Sequence, residues 1–138
     1  MNIVLWILQV LLAAAFAAHG WMLLSPPPEL LQVMNDQLGV GFRIFLGAAE
    51  VAGAIGLILP ALTRILPRLT PIAAGCLAFV VASATVLHLV RAEYSSAVTT
   101  VILCALASFV AWARWRVRPI TPRQEGGRIS TRAVSSLA

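Results

Sequence analysis

Residues 40–59 read VGFRIFLGAAEVAGAIGLIL, an apolar run whose only charged residues are Arg43 and Glu50. A helix of about 20 mostly apolar residues is long enough to cross a hydrocarbon core roughly 30 Å thick. The run is followed by Pro60, which lacks the backbone N–H that a continuing helix needs. The pattern therefore predicts a membrane-spanning helix that carries two ionisable side chains.

Three further segments have the length and apolarity of a membrane span. The predicted spans cover about 3–24, 40–59, 71–90 and 97–113. Of the 138 residues, 60% are hydrophobic and 11% are charged, whereas about a quarter of the residues of a soluble domain are charged. Such a composition excludes a soluble globule, and it is too apolar for a disordered chain. We predict an all-α integral membrane protein, with residues 1–113 as a four-helix transmembrane bundle and residues 114–138 as a basic, flexible tail.

The first segment also has one feature of a cleaved secretory signal. The triplet Ala15-Phe16-Ala17 resembles a cleavage site. However, no Lys or Arg precedes the apolar run, and the run is longer than the roughly 7–15 residues of a signal peptide. An uncleaved first span is therefore the favoured interpretation.

The charges predict how the bundle is oriented. Residues 114–138 contain six arginines and one acid, and the connection 60–70 contains Arg64 and Arg68. By contrast, the charged residues of the connection 25–39 are all acidic. Basic residues concentrate on the cytoplasmic side of membrane proteins. The sequence thus predicts a multi-pass protein of the cytoplasmic (inner) membrane with both termini in the cytoplasm.

The tail accounts for the whole net charge of +5. Its arginines act either as determinants of topology or as a contact for anionic lipid or an acidic partner. Binding to nucleic acid is not expected, because the sequence shows neither a base-stacking set of aromatics nor a folded reading module. The lipid bilayer is the partner that the composition itself predicts.

Ionisable residues inside a membrane are costly and often mark functional sites. Four such residues stand out: His19, Arg43, Glu50 and His88. In the predicted orientation His19, Arg43 and His88 lie near the outer surface. Glu50 follows Arg43 by two helical turns and lies about 10 Å deeper on the same face. These four residues are the candidates for binding a ligand or a proton.

Each candidate also has a structural interpretation. Arg43 can extend to the interface, and either histidine can serve only as a hydrogen-bond partner. Glu50 is the least easily explained in this way, because a carboxylate that faces lipid costs several kcal/mol. Since Gly47 and Gly53 lie on its face of the helix, we expect Glu50 to point into the bundle. Arg43 would reach it through water, a ligand or His88.

Metal and disulfide sites are not expected. The histidines and carboxylates show no H-x-x-x-H or E-x-x-H spacing. Cys76 and Cys104 lie at different predicted depths, too far apart for a disulfide, and we expect both to be small core residues.

The sequence from 42 to 93 resembles the DoxX family of small four-span bacterial membrane proteins, and the similarity extends over roughly Gly41 to Arg114. The residues that carry it are Arg43, Gly47, Glu50, Gly53, Gly56-Leu57, Pro60, Leu69-Thr70-Pro71, Ala73-Ala74, His88, Arg91 and Glu93. The resemblance implies a four-helix membrane bundle. It also implies an association with membrane redox chemistry, including quinone-linked oxidation of sulfur compounds.

One position departs from the family pattern. A glycine near the outer end of the first span is often followed by lysine three residues later in the family, but here Gly20 is followed by Leu23. The role of that lysine is therefore either absent or taken by His19.

Three functions remain open from the sequence. The first is an accessory or quinone-binding subunit of a membrane redox system, in which Glu50 or His88 exchanges protons and Arg43 stabilises negative charge. No haem, flavin or iron–sulfur ligand set is present, so we expect no resident cofactor and quinone only as a bound ligand. The chain is then at most one subunit of an oxidoreductase and acts with redox partner proteins. The alternatives are a small-molecule or proton transporter and a structural or assembly subunit. Small-residue faces also predict a homodimer.

Overall fold

The computed structural model describes residues 2–122, which form helices joined by short connections. The helices are α1 (Asn2–Leu24), α2 (Pro28–Leu38), α3 (Val40–Thr63), α4 (Leu69–Val90) and α5 (Tyr94–Trp112), and a π-helical turn (Ala113–Val117) continues α5. Within this part of the chain, α1, α3, α4 and the extended α5 are each long and apolar enough to cross a membrane. The predicted all-α, four-span fold is confirmed. Most of the predicted tail, residues 123–138, lies outside the described residues.

The four long helices pack as two antiparallel pairs that form one bundle. α1 lies along α3, α4 lies along α5, and α3 and α4 join the two pairs. Their shared core consists of buried apolar side chains, among them Leu12, Phe16, Leu57, Leu77 and Val110. Large apolar side chains also cover the outside of every long helix, as expected for a surface in contact with lipid.

The two ends of the bundle differ in charge. The acidic end carries Glu29 and Asp36 on α2 and Glu93 before α5. The opposite end, here the arginine end, carries five arginines in the described part of the chain: Arg64, Arg68, Arg114, Arg116 and Arg118.

α1 and α3 touch where two glycines face each other. A Cβ added to Gly47 would lie 2.8 Å from the carbonyl oxygen of Gly20, and a Cβ on Gly20 would lie 2.8 Å from that of Gly47. Because real Cβ atoms do not approach backbone so closely, this crossing requires glycine in both helices. It lies beside His19 and within one turn of Glu50, so it sets the distance between these two side chains.

We expect Gly47→Ala to lower the thermal unfolding midpoint of the detergent-purified protein. The added methyl group meets rigid backbone, and overpacking of this kind costs about 1–3 kcal/mol. The matched control is Gly75→Ala in α4, where an added Cβ meets nothing within 4 Å. That control should keep or slightly raise the midpoint, because alanine favours a helix. Equal midpoints for the two variants would contradict the close crossing.

Other small residues are also used inside the bundle. Added Cβ atoms on Gly53 and Gly56 would meet Leu77 and Ala73 of α4 at 2.6 and 2.8 Å. The small-residue face of α3 therefore contacts helices of the same chain. The homodimer stays a prediction.

A buried polar network joins the helices at the arginine end. Gln9 Nε2 donates a hydrogen bond to the Leu57 carbonyl at 2.8 Å, and Arg114 Nε donates to Gln9 Oε1 at 2.6 Å. Arg114 Nη1 donates to Asn2 Oδ1 at 2.8 Å, and its guanidinium lies 5.7 Å from the Trp6 ring centre. Here the structure differs from the predicted boundary at residue 113: Arg114 is only 4% exposed, because Gln9 accepts its hydrogen bond within the bundle.

α3 also ends later than predicted. Pro60 does not end the helix, which continues to Thr63. Pro60 withholds the N–H that would bond the Gly56 carbonyl, but the helix still makes one more turn, closed by the Arg64 N–H donating to the Pro60 carbonyl at 3.0 Å.

Candidate functional site

Glu50 is buried in α3 and hydrogen-bonded to α1. Its side chain is 3% exposed, and His19 Nδ1 donates a hydrogen bond to Glu50 Oε2 at 2.6 Å. The expectation that Glu50 points into the bundle is confirmed. Its hydrogen-bond partner is His19 of α1. Arg43, predicted to reach Glu50 through an intermediary, donates instead to Asn35 and the Leu23 carbonyl. This carboxylate–imidazole pair is the centre of the candidate site.

Each member of the pair keeps one atom free for another molecule. His19 Nε2 and Glu50 Oε1 make no hydrogen bond with any group in residues 2–122. The His19 side chain is 51% exposed, and Glu50 Oε1 is not among the fully enclosed polar atoms of the described chain. With Nδ1–H donated to Glu50, Nε2 donates a hydrogen bond when the imidazole is protonated and accepts one when it is neutral, so the pair can take up or release one proton.

Two cavities reach the pair from different sides of the bundle. One, of about 430 Å³, lies between α2, α3 and α4, and the other, of about 340 Å³, lies between α1, α4 and α5. His19, Glu50, Ala84 and His88 line both cavities. The larger of the two is the pair cavity.

The walls of the pair cavity are mainly apolar. Phe42 and Phe45 of α3 and Phe79 of α4 contribute aromatic rings. All three rings are largely exposed on the outside of the helices, so the cavity opens sideways toward lipid. A concave apolar site with a few convergent polar groups is typical of small-molecule binding.

His88 also lies in this wall, with a carboxylate partner of its own. His88 Nδ1 donates a hydrogen bond to Glu93 Oε2 at 2.5 Å, and the Glu93 backbone N–H donates to the His88 carbonyl at 2.9 Å. Both side chains line the pair cavity and are partly exposed. The structure thus brings His19, Glu50 and His88 around one cavity, as two separate imidazole–carboxylate pairs.

Arg43 is placed differently from the other three candidates. It is buried and lines neither cavity. Its Nε donates a hydrogen bond to Asn35 Oδ1 at 2.9 Å, and its Nη1 donates to the Leu23 carbonyl. Carbonyls in the last turn of a helix carry partial negative charge, which a guanidinium stabilises. Arg43 therefore fastens α2 and the end of α1 to the start of α3.

α2 covers the acidic end of the pair cavity. Met34, Gln37 and Leu38 line the cavity, and Arg91 Nη2 at the end of α4 donates a hydrogen bond to the Gln37 carbonyl at 3.0 Å. Together with the Arg43–Asn35 bond, this contact holds α2 against the bundle from two sides. The opening toward lipid is thus the less obstructed route to the pair.

The cysteines lie apart from the site. Cys104 Sγ donates to the Ala78 carbonyl at 3.5 Å, and Cys76 is exposed on α4. The expectation of two core cysteines is wrong for Cys76, which belongs to the lipid-facing surface. In the part of the chain that the structure describes, no three His, Cys, Asp or Glu side chains come together as metal ligands.

Comparison with known proteins identifies the chain by its family. No curated protein and no solved structure matches it significantly. The family model described as the DoxX-like family matches residues 7–110, which include both imidazole–carboxylate pairs and Arg43. The resemblance seen in the sequence is confirmed. Because the match covers most of the chain, this four-span membrane protein belongs to the DoxX-like family.

Proposed function

We propose that this protein binds the headgroup of a quinone in the pair cavity and serves as an accessory subunit of a membrane redox system. The observation that carries the proposal is the His19–Glu50 pair, which has a free acceptor and a free ring nitrogen beside an apolar cavity that opens to lipid. Quinones are dissolved in the bilayer, so they can reach such a cavity from the side.

The free atoms of the pair suit both redox forms of a quinone. When the imidazole is protonated, His19 Nε2–H donates a hydrogen bond to a quinone carbonyl; when it is neutral, Nε2 accepts one from a quinol hydroxyl, as Glu50 Oε1 also can. The aromatic rings of Phe42, Phe45 and Phe79 supply contacts for the flat ring. Specificity then comes from two hydrogen bonds, and most of the contact area is apolar.

Reduction of a quinone to a quinol takes two electrons and two protons. We assign one proton to the His19–Glu50 pair and the second to the His88–Glu93 pair, which lines the same cavity. The electrons come from a partner redox protein in the membrane. For this reason we assign quinone binding and proton exchange to this chain, and we name no catalytic residue.

We also propose an orientation for the bundle in the membrane. The arginine end carries five arginines in the described residues, whereas the connection after α4 at the opposite end carries only one, Arg91, and this excess favours the cytoplasmic side of the inner membrane for the arginine end. In this orientation the pair cavity lies in the outer half of the membrane, and both termini are cytoplasmic.

The test is direct binding of a tritiated short-chain quinone to the purified protein in detergent. We expect saturable binding that unlabelled quinone displaces and that an alcohol with the same alkyl tail does not. Binding that never saturates, or that the alcohol displaces equally well, would show that the cavity takes up alkyl chains without recognising a quinone ring.

The transporter alternative has less support. The buried side chains of Leu12 and Phe16 lie on α1 between the polar residues Gln9 and His19. An apolar layer of this kind favours a binding site over a polar path through the bundle. Substrate or proton flux in proteoliposomes is the measurement that separates the two functions.

A further inference from the structure

The arginine end of the bundle carries positive charge without a nearby counter-charge in the described residues. The acids among residues 2–122 are Glu29, Asp36, Glu50 and Glu93, and all of them lie at the acidic end or beside the pair cavity. The two ion pairs within this part of the chain are those of the histidines, and neither involves an arginine.

Three of these arginines surround a cavity of about 250 Å³. Arg64 follows α3, Arg114 belongs to the π-helical turn, and Arg118 follows that turn. Asn2 and Trp6 of α1 complete one side. This arginine cavity adjoins a second one of about 360 Å³, which Arg68, Arg114 and Trp115 line.

Arg114 is a buried charge with no acid beside it in the described residues. Its Nε and Nη1 donate to the neutral side chains of Gln9 and Asn2. Its Nη2 is fully enclosed and has no hydrogen-bond partner among the described residues. Burying a guanidinium among neutral oxygens alone is costly, and an anion close to it offsets part of that cost.

We propose that the arginine cavity binds the phosphate group of an anionic phospholipid. Guanidinium groups are the side chains best shaped to bind phosphate oxygens in pairs. The cavity lies at the end of the spanning helices, at the level of the headgroups, and Trp6 and Trp115 line this region as tryptophans do at membrane interfaces. Basic pockets between spanning helices are known to hold anionic headgroups. The proposal is independent of the quinone site at the other end.

The test compares lipid binding to the full chain, stripped of lipid in detergent, by native mass spectrometry. The probes are dioleoyl phosphatidylglycerol, dioleoyl phosphatidylcholine and inorganic phosphate. We expect tighter binding of phosphatidylglycerol than of phosphatidylcholine. Arg118→Gln should weaken phosphatidylglycerol binding by about fivefold. The matched control, Arg116→Gln, removes the same charge from an exposed neighbour that lines neither cavity, and it should bind as the parent does.

Two results would overturn the proposal. Equal weakening by Arg118→Gln and Arg116→Gln would show general charge attraction without a site. Binding of inorganic phosphate with no preference between the two lipids would show a site for a free anion. Arg64→Gln, on a different connection, provides a second variant that tests the same cavity if Arg118→Gln does not fold.

Discussion

Glu50→Gln should weaken quinone binding by about tenfold to a hundredfold and leave the bundle folded. Glutamine has nearly the same shape and retains an oxygen that can accept the hydrogen bond of His19 Nδ1. What it removes is the negative charge and the ability to hold a proton. Hydrogen bonds to a charged group contribute about 1.5–3 kcal/mol, which corresponds to this range of affinity.

The measurement is the tritiated quinone titration, with thermal unfolding as the check on folding. The matched control is Glu29→Gln, which removes the same charge from an exposed residue of α2 that lines neither cavity near the pair. Its affinity should equal that of the parent. If Glu50→Gln also binds with parental affinity, Glu50 is not part of the quinone site.

Gln9→Leu should cause the largest loss of stability among these single substitutions. Gln9 is fully buried and accepts the hydrogen bond of Arg114 Nε at 2.6 Å. Leucine fills a similar volume but leaves a buried charged donor without its acceptor. Loss of a partner for a buried charge costs about 3 kcal/mol or more.

The double variant Gln9→Leu with Arg114→Leu shows whether this reason is correct. Replacing both hydrogen-bond partners by apolar groups removes the unsatisfied donor, so much of the stability should return. Thermal unfolding in detergent compares the parent, Gln9→Leu and the double variant. A double variant less stable than Gln9→Leu alone would mean that Arg114 stabilises the bundle through contacts other than Gln9.

The four spans could be predicted from the sequence because hydropathy over a span is a local property. The burial of Glu50 could be predicted for a similar reason, since a carboxylate that faces lipid is costly whichever helices lie beside it. Its partner could not be predicted. The pairing with His19 depends on how α1 is shifted along α3, and the contact of Gly20 with Gly47 sets that shift.

Arg43 shows where reasoning from one helix face fails. Two turns of helix place it on the side of Glu50, but the Leu23 carbonyl and Asn35 are closer acceptors. These acceptors come from α1 and from α2, which lies in the connection 25–39 between the first two predicted spans. The sequence does contain signals for α2, because Pro28 suits a first helical turn and Gly39 suits the position after the last one. In the structure Gly39 has a φ of 76° there.

The burial of Arg114 could not be predicted, because counting charges does not distinguish a buried arginine from a solvated one. The sequence signal for a buried partner is Gln9, a polar side chain inside an apolar span that needs a hydrogen-bond partner. Only the tertiary fold identifies that partner, since α1 and the end of α5 are far apart in sequence.

His19 and Glu50 are proposed to bind the quinone as one unit. The most direct measurement is a double-mutant cycle of His19→Phe and Glu50→Gln, with quinone affinity as the readout. We predict that each single variant loses affinity and that the double variant loses no more than the weaker-binding single one. Losses that simply add would show two independent groups, and parental affinity in all three variants would place the site elsewhere.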